Sequence, residues 1–234
     1  MKILAIEAAA KTAGAAVYSD GIIVAEEAVA NGLTHSQTLM PMVEEIMKQA
    51  GLDGQDLDLL TFTKGPGSFT GLRIGAATVK GLSLGWQKPV LPLSTLEVLA
   101  YNLAGHNELI VPVMDAHRHQ VYTAVYECID GRLQALFGPD VVPATDLIRF
   151  LQRQDRPAIL VGDAGTVTEE AGGEAFAVAP AHLNQLRPAA ACALAESLLK
   201  QGAEPIPGAQ VEIDYLRKPQ AEREREARLR AEQS

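Results

Sequence analysis

The sequence predicts an α/β fold with mixed sheets in which one strand plan occurs twice, and three observations lead to this prediction. Short apolar runs of strand type occur in two groups of three. Each group begins with a run that ends at an acid, Glu7 in the first and Asp115 in the second. Segments with helical spacing of apolar residues alternate with strand-like runs, as in α/β proteins. Duplication of one domain explains the repeat; chance is the alternative, since apolar strands joined by Asp-Gly turns are common.

The two groups have the same order of signals. In the first, the run 2–6 ends at Glu7, small residues lead to a second run, and Asp20-Gly21 precedes the returning run "IIVAEEAV". In the second, "ELIVPVM" ends at Asp115, the polar turn "AHRHQ" leads to "VYTAVYEC", and a second Asp-Gly pair precedes "RLQALF". Each group is therefore predicted to be a three-stranded antiparallel meander.

A helix is predicted after the first meander. Thr34 and Gln37 fit a capping box, and Gly51 ends the pattern. Pro41 lies inside it, so we expect a kink or a helix that begins near this proline. The apolar face is broad, and either core packing or a partner surface explains its methionines. Its members are Leu39, Met40, Met42, Val43, Ile46, Met47 and Ala50.

The strand-like run "LDLLTFT" is followed by "GPGSFTGLRIG", residues 65–75, which predicts a glycine turn and a second helix. Gly65, Pro66 and Gly67 form the turn, and Ser68 or Thr70 can cap the helix. A turn of this type at a helix start can hold an anion, although the Gly-Lys-Ser/Thr ending of a Walker loop is absent. The other interpretation is a capped helix without a ligand. Small and apolar residues share one face of this helix, which suggests close packing either within the chain or between chains. These residues are Gly71, Gly75, Thr78, Leu82 and Gly85.

Further along, the pattern predicts a third helix from about Thr95 to Ala104 and a strand in "AILVGDAG". A last helix in "RPAAACALAESLLKQG" is expected to end at Gly202. From Arg217 the tail carries six basic and four acidic residues, a mixture typical of a solvated helix or a frayed end.

The composition limits the function. The chain has 234 residues, and 20 basic against 29 acidic residues give a formal charge of −9, which disfavours direct capture of nucleic acid by a broad basic face. Its two cysteines, Cys128 and Cys192, are too few and too far apart for a disulfide framework. Neither a signal-peptide core nor a long apolar run is present, so we expect a cytoplasmic protein that neither spans nor binds a membrane.

Motifs for hydrolysis and metal binding are weak. Asp115, His117 and His119 alternate, which on a strand would place three metal ligands on one side, but they follow a strand directly and are expected to occupy a turn. The sequence has no H-E-x-x-H, no C-x-x-C and no nucleophile-elbow motif. We therefore expect neither a metal nor another cofactor.

Taken together, "THSQTLMPMVEEIMKQAGL", "GPGSFTGLRIGAATVKGLSLG", "MDAHRHQVYTAVYE" and "YLRKPQAE" resemble the bacterial TsaB family, also called YeaZ. The resemblance is close over the first hundred residues and looser beyond them. It implies the duplicated fold shared by actin, sugar kinases and Hsp70, with an N-terminal lobe at 1–104 and a C-terminal lobe at 105–234. It also implies a role in placing a threonylcarbamoyl group on an adenosine of tRNA, as the non-catalytic partner of a TsaD-type subunit and together with a TsaE-type ATPase.

Three departures from the family and its catalytic relatives sharpen this expectation. Where the family usually has Asp-Thr-Ser after the first strand, this chain has Glu7, Ala8 and Ala9, which lack two hydroxyl donors. The catalytic relatives carry two metal-binding histidines where this chain has Thr95 and Leu99. "DAHRHQVY" stands in place of the usual "DARRGEVY". The first-strand turn and residues 65–68 are thus expected to be a degenerate nucleotide site that binds ATP weakly or not at all.

The expected partners follow from the same resemblance. The chain alone is expected to form a homodimer, and to reach tRNA only through the complex. A small phosphotransferase of this fold is the first alternative and a metallopeptidase the second. The predicted partner interface lies on the first two helices and consists of Leu39, Met42, Val43, Ile46, Gly71, Gly75, Thr78 and Leu82.

Overall fold

The first half of the chain forms a five-stranded mixed sheet. A computed structural model describes residues 1–30, 35–173 and 175–217. The strands of the first sheet lie in the order β3-β2-β1-β4-β5. β1 and β2 are antiparallel, as are β2 and β3, whereas β4 and β5 run parallel to β1. The strands are β1 (Lys2–Glu7), β2 (Ala13–Ser19), β3 (Ile22–Val29), β4 (Leu59–Gly65) and β5 (Val90–Ser94).

The second half repeats this sheet. Its order is β10-β9-β6-β7-β8, which is the first order shifted by five strands and seen from the other edge. The pairing is again antiparallel within the meander and parallel from its first strand outward. These strands are β6 (Leu109–Asp115), β7 (Gln120–Ile129), β8 (Arg132–Pro143), β9 (Ala158–Gly162) and β10 (Ala177–Val178). Identical order and direction in both sheets confirm the predicted duplication and the actin-like fold class.

In the described part of the chain, six α-helices follow equivalent strands in the two lobes. One helix comes after the third strand of each sheet, one after the fourth and one after the fifth. The helices are α1 (His35–Ala50), α2 (Phe69–Trp86), α3 (Thr95–Tyr101), α4 (Ala144–Gln154), α5 (Gly165–Glu170) and α6 (Pro188–Lys200). The helix after the fourth strand has 18 residues in the first lobe and 6 in the second. This is the largest difference between the two repeats.

The last helices of the two repeats pack between the sheets. α6 packs against β1 and β2 of the first sheet, and α3 packs against β6 and against α6. One apolar cluster therefore contains buried residues of both halves, such as Ile3, Leu96 and Cys192. A cut of the chain at 104/105 separates the sheets but divides this shared core.

Several element boundaries differ from those predicted. α1 already begins at His35, so a start near Pro41 is wrong; Thr34, the predicted cap, lies outside the described residues. α3 ends at Tyr101 rather than near Ala104. The sequence analysis predicted neither α4, a helix of 11 residues, nor α5, a helix of 6 residues that begins at Gly165. The tail beyond Arg217 also lies outside the described residues.

After α6, residues 203–217 cross back over the first lobe, and we call this segment the strap. Ile206 and Val90 exchange two backbone hydrogen bonds of 2.8 Å, which adds a bridge beside β5. Val211 is buried in the core of the first lobe. The amide of Asp214 donates to the carbonyl of Lys64 at 2.8 Å, and Arg217 donates to the carbonyl of Ala116 at 2.9 Å. The strap thus links the end of β4 to the second lobe.

Among the helices that the structure describes, none is both long and apolar enough to cross a membrane.

Candidate functional site

The turn after β1 is organised by a buried carboxyl group. Glu7 is fully buried, and its Oε1 accepts hydrogen bonds from the amide of Ala9 at 2.7 Å and from the hydroxyl of Thr63 at 3.0 Å. Its Oε2 has no hydrogen-bond partner among the described residues. Burial raises the pKa of Glu7 to about 7, and the two hydrogen bonds oppose that rise. The buried carboxyl group of Glu7 thus links the turn after β1 to β4.

The glycine loop 65–71 packs against this turn. A β-carbon at Gly67 would overlap the carbonyl oxygen of Ala9, and one at Gly71 would overlap that of Ala8. The amide of Ser68 donates to the carbonyl of Ala9 at 2.7 Å, and the Ser68 hydroxyl accepts from the amide of Gly71 at 3.3 Å. The prediction that Ser68 or Thr70 caps the second helix is therefore resolved in favour of Ser68.

Gly65 has a different neighbour. Its φ is +131°, a value that side chains other than hydrogen rarely allow, and a β-carbon there would overlap the carbonyl oxygen of Asp214 in the strap. Peptide oxygens of the chain thus occupy the positions next to Gly65, Gly67 and Gly71. Since those oxygens carry partial negative charge, this loop is poorly suited to receive a phosphate group. The glycines are explained by close approach of the backbone.

A cleft lies between the two lobes beside the same turn. A cavity of about 270 Å³ is lined by the turn residues Lys11 and Thr12 on one side and by Gly162 and Asp163 on the other. Lys11 Nζ and Asp163 Oδ1 are 3.9 Å apart across it, and both side chains are largely exposed. Asn184 holds Gly162 with hydrogen bonds to its amide and carbonyl. The two lobes thus face each other across this cleft.

The three alternating residues of the second lobe do not converge on one point. Asp115 ends β6, and His117 and His119 lie in the following turn with φ values of 62° and 58°. His117 Nδ1 is 3.2 Å from Asp115 Oδ2, whereas His119 Nδ1 lies 2.9 Å from Glu170 Oε1. Within the described ranges, no group of three potential ligands could hold a metal ion. Thr95 and Leu99, expected at the positions of two metal-binding histidines, are buried on α3.

Most of the predicted partner interface is already buried in this chain's own core. Six of the eight residues are classed as buried, and Thr78 and Leu82 are half-buried. The inner face of α1 packs on β2 and β3, and the first turns of α2 pack on the β1–β2 turn. The six buried residues are Leu39, Met42, Val43, Ile46, Gly71 and Gly75. Within this chain these six residues pack inward, as apolar periodicity predicts, and their role in a partner interface stays a prediction.

Comparison with known proteins decides the family. The chain is 35% identical over 162 residues to the tRNA threonylcarbamoyladenosine biosynthesis protein TsaB of Bacillus subtilis, an alignment that covers 69% of this chain and 71% of that protein. The chain belongs to the TsaB family. The TsaB protein of Escherichia coli is 35% identical over 150 residues, which cover 61% of this chain and 64% of the relative. A family model described as TsaD, tRNA N6-adenosine threonylcarbamoyltransferase, matches residues 21–223.

Solved structures agree with this assignment. A Pseudomonas aeruginosa protein described as similar to the peptidase YeaZ superposes with a TM-score of 0.82 at 25% identity, over 92% of this chain and 99% of that one. A second structure, YeaZ from the same organism, has a TM-score of 0.76 at 24% identity with the same coverage. The TsaB fold therefore extends over nearly the whole described chain, including the looser second half.

The structure also exposes a surface in this TsaB-family chain that, apart from Gly85, the sequence analysis did not indicate. Ala77, Gly81 and Leu84 lie on one outward stripe of α2, and the Leu84 side chain is 84% exposed. Gly81 and Gly85 have open space where a β-carbon would be, in contrast to Gly71 and Gly75. We call residues 77, 81, 84 and 85 the outer stripe. Its exposure in the structure identifies it, because a leucine and two glycines in a helical sequence do not show which side of the helix faces solvent.

Proposed function

We propose that the chain is a non-catalytic subunit of the assembly that forms threonylcarbamoyladenosine on tRNA, and that it binds a TsaD-type catalytic subunit through α1 and the outer stripe of α2. The observation that carries this proposal is the outer stripe itself. Leu84 is 84% exposed and stands beside two helix glycines that no contact within the described chain explains. The names of the TsaB relatives and the TsaD family model support the pathway.

The energetics favour a partner helix on this stripe. A glycine inside a helix costs about 1 kcal/mol relative to alanine, so Gly81 and Gly85 together weaken α2 by about 2 kcal/mol. Burial of an exposed leucine side chain contributes about 1.5–3 kcal/mol, which offsets that cost when a partner covers Leu84. Glycines also allow two helices to approach to about 8 Å. Met40, 38% exposed on α1, supplies an adaptable apolar contact on the neighbouring helix.

The first lobe supports a non-catalytic role. A phosphotransferase of this fold needs donors that face the phosphates at the first turn. Here Ala8 and Ala9 have no side-chain donor, and Glu7 is closed off by Thr63. The chain is therefore expected to bind Mg-ATP weakly or not at all in calorimetry. A one-to-one complex of the isolated chain with micromolar affinity would favour a phosphotransferase.

The remaining parts of the proposal concern the assembly. A TsaE-type ATPase joins the full complex, and tRNA is contacted through the complex and not by this chain alone. In isolation, the same stripe pairs with a second copy of the chain as a homodimer. The protein requires no cofactor of its own and works in the cytoplasm.

The test compares two identical substitutions on opposite lobes. Leu84→Glu places a charge on the outer stripe, whereas Leu136→Glu places one on β8, where the native side chain is 40% exposed. Both variants are expected to fold, because neither leucine is part of the core. Leu84→Glu should weaken binding to the TsaD-type subunit of the same organism at least about 100-fold, since the charge would be desolvated at the interface. Leu136→Glu should bind as the parent chain does.

Modification of tRNA should follow binding. In a reconstituted reaction at subunit concentrations near the parent dissociation constant, Leu84→Glu should lose activity, and excess of the variant should restore part of it. Native circular dichroism of the isolated variant excludes misfolding. Equal binding of both variants would place the interface elsewhere, and full modification without this chain would contradict the proposed subunit role.

A further inference from the structure

An arginine at the first turns of α2 is held by two aromatic residues. The guanidinium carbon of Arg73 lies 3.9 Å above the centre of the Phe69 ring. Arg73 Nε donates a hydrogen bond of 3.3 Å to the hydroxyl of Tyr215, which belongs to the strap. The Phe69 and Tyr215 rings are themselves 5.2 Å apart and inclined by 32°. Stacking and a hydrogen bond thus hold the side chain in one orientation.

The strap itself is held at this point by the backbone. The amide of Asp214 donates to the carbonyl of Lys64 at 2.8 Å, directly before Tyr215. The absence of a β-carbon at Gly65 leaves room for the carbonyl of Asp214. Lys64 Nζ and Asp214 Oδ2 are a further 3.8 Å apart. The position of Tyr215 over the start of α2 is therefore determined by the packing of the β4 end and not by the ring contacts alone.

The charged end of Arg73 has no carboxylate within the chain as described. Arg149, Arg156 and Arg187 each pair with an acid, at Asp146, Glu127 and Glu26. Among residues 1–30, 35–173 and 175–217, no carboxylate forms an ion pair with Arg73. Its two Nη groups donate no hydrogen bond to any of these residues. Because Nε uses one of five N–H donors, four remain, in the fork that matches a carboxylate. Other described arginines also lack an acid, such as Arg153 and Arg217, but Arg73 is the one described arginine that stacks on an aromatic ring.

Its position continues the outer stripe. Arg73 precedes Ala77 by four residues, and Ala77 precedes Gly81 by four, so the three lie on one side of the helix. The arginine, like Ala77 and Gly81, is exposed. Arginine and tyrosine are enriched among the residues that dominate protein interfaces. A partner that lies along the stripe from Leu84 towards the start of α2 would reach the free guanidinium edge.

We propose that Arg73, held by Phe69 and Tyr215, forms a bidentate ion pair with an aspartate or glutamate of the catalytic subunit at the end of the outer stripe. This inference rests on the proposed function, since the partner is the TsaD-type subunit named there. The strap then has a role in binding: Tyr215 positions the arginine, and Arg73 makes the contact. A carboxylate is the expected group because planar oxygen pairs match the two Nη donors.

The experiment measures the dissociation constant of the complex for the parent chain and three variants. Arg73→Met keeps the apolar stem and removes the charge, and should weaken binding at least about 10-fold. Arg73→Lys keeps the charge but loses the bidentate geometry, and should weaken binding by a smaller factor. Arg153→Met is the matched control, since Arg153 is exposed on α4 and donates to the carbonyl of Arg149. This control should leave binding within about twofold.

Tyr215→Phe tests the positioning role. The ring contact with Phe69 is kept, and only the hydroxyl that accepts from Arg73 Nε is lost. A loss of about 3-fold in affinity is expected from Tyr215→Phe alone. In the Arg73→Met background the same change should have no effect, because the group it orients is gone. A structural role of the hydroxyl would instead give the same loss in both backgrounds.

Charge exchange identifies the partner group. Arg73→Glu should abolish binding, and one Asp→Lys or Glu→Lys change on the catalytic subunit should restore part of it. If the parent chain does not bind the catalytic subunit, the proposed function is wrong. If the parent binds and Arg73→Met binds equally well, only the arginine contact is wrong. Loss of homodimer alone, with the heterodimer unchanged, would equally overturn it by assigning the contact to a second copy.

Discussion

The two lobes close the turn after their first strand with the same type of hydrogen bond, from a backbone amide to a carboxylate, but the two acids lie in different environments. The amide of Ala9 donates to Glu7, and the amide of His117 donates to Asp115, at 2.7 and 2.8 Å. Glu7 is fully buried under the loop that precedes α2, whereas the Asp115 side chain is 45% exposed. The same turn is therefore present in both lobes, but packing gives its acid a different environment: Glu7 is a buried acceptor and Asp115 a half-exposed one.

The helices after the fourth strands also differ between the two lobes. α2 continues for 18 residues past the sealed turn, whereas α5 stops after 6. The additional turns of α2 carry the outer stripe, which has no counterpart in the second lobe. The first lobe therefore combines a closed turn with a long helix whose outer stripe is exposed, and the proposed subunit role uses this combination.

The largest expected effect compares the glycines at the starts of the two helices. Gly71→Ala should destabilise the protein by about 3 kcal/mol or more, because its β-carbon would overlap the carbonyl oxygen of Ala8. Gly165→Ala at the start of α5 has open space and should stabilise it by about 0.5 kcal/mol. Urea unfolding of both variants measures the difference. Equal effects would mean that the turn in the first lobe is not closed as described.

The next effect concerns the pH dependence of stability. The pKa of Glu7 rises from 4.5 in the unfolded chain to about 7 in the folded protein. Between these values the folded protein holds a proton that the unfolded chain has lost, so stability falls as pH rises from 4.5 to 7 and the contribution is level above 7. The full change is about 3 kcal/mol.

The variants Glu7→Gln and Asp115→Asn test this assignment in thermal unfolding at pH 5, 6, 7 and 8. Glu7→Gln should remove most of the fall in stability across this interval, although its buried amide lacks an acceptor and lowers stability at pH 5. Asp115→Asn is the matched control for loss of a carboxyl group at the equivalent turn, where the side chain is 45% exposed. A Glu7→Gln profile parallel to that of the parent chain would contradict a buried, protonated Glu7.

A smaller effect is expected at the contact between lobes. Arg187, at the start of α6, forms an ion pair with Glu26 on β3, and Glu26 also accepts from the amide of Ala189 at 3.0 Å. Glu26→Gln should cost about 1 kcal/mol, because the arginine is partly exposed and the amide contact is retained. Asp146→Asn, which removes the exposed pair with Arg149 in α4, should cost less than about 0.5 kcal/mol. Chemical denaturation that ranks the two the other way round would show that the link between lobes is weak.

The smallest effect is a gain at the turn of the second lobe. His117, Arg118 and His119 all have positive φ, between 58° and 62°, whereas the turn after β1 has no such residue. Arg118→Gly should therefore stabilise the protein by about 0.5 kcal/mol, since glycine adopts this conformation without strain. Lys11→Gly in the first turn should give a loss of similar size. A loss in both would show that the left-handed turn carries no strain at Arg118.

Local signals were sufficient for much of the fold. The acids at the ends of β1 and β6, the Asp-Gly turns and the glycine stop at Gly51 predicted both meanders and the end of α1, because each rests on contacts within a few residues. The site was harder to predict. Periodicity marked Leu39, Val43 and Ile46 as an apolar face, but periodicity is the same whether that face meets a sheet or a partner. The structure shows that this face of α1 packs on β2 and β3.

The sequence by itself determined the strand plan, its repetition, the fold class and the family resemblance, since these depend on local propensity and on motifs that stay in order along the chain. Only the tertiary structure decided at which glycines neighbouring atoms occupy the β-carbon position and at which this space is open. It also decided that Glu7 is buried, and that Tyr215 contacts Arg73, 142 residues away in the sequence. Contacts of that separation depend on how sheets, helices and strap pack together in three dimensions, and no local pattern of residues specifies that arrangement.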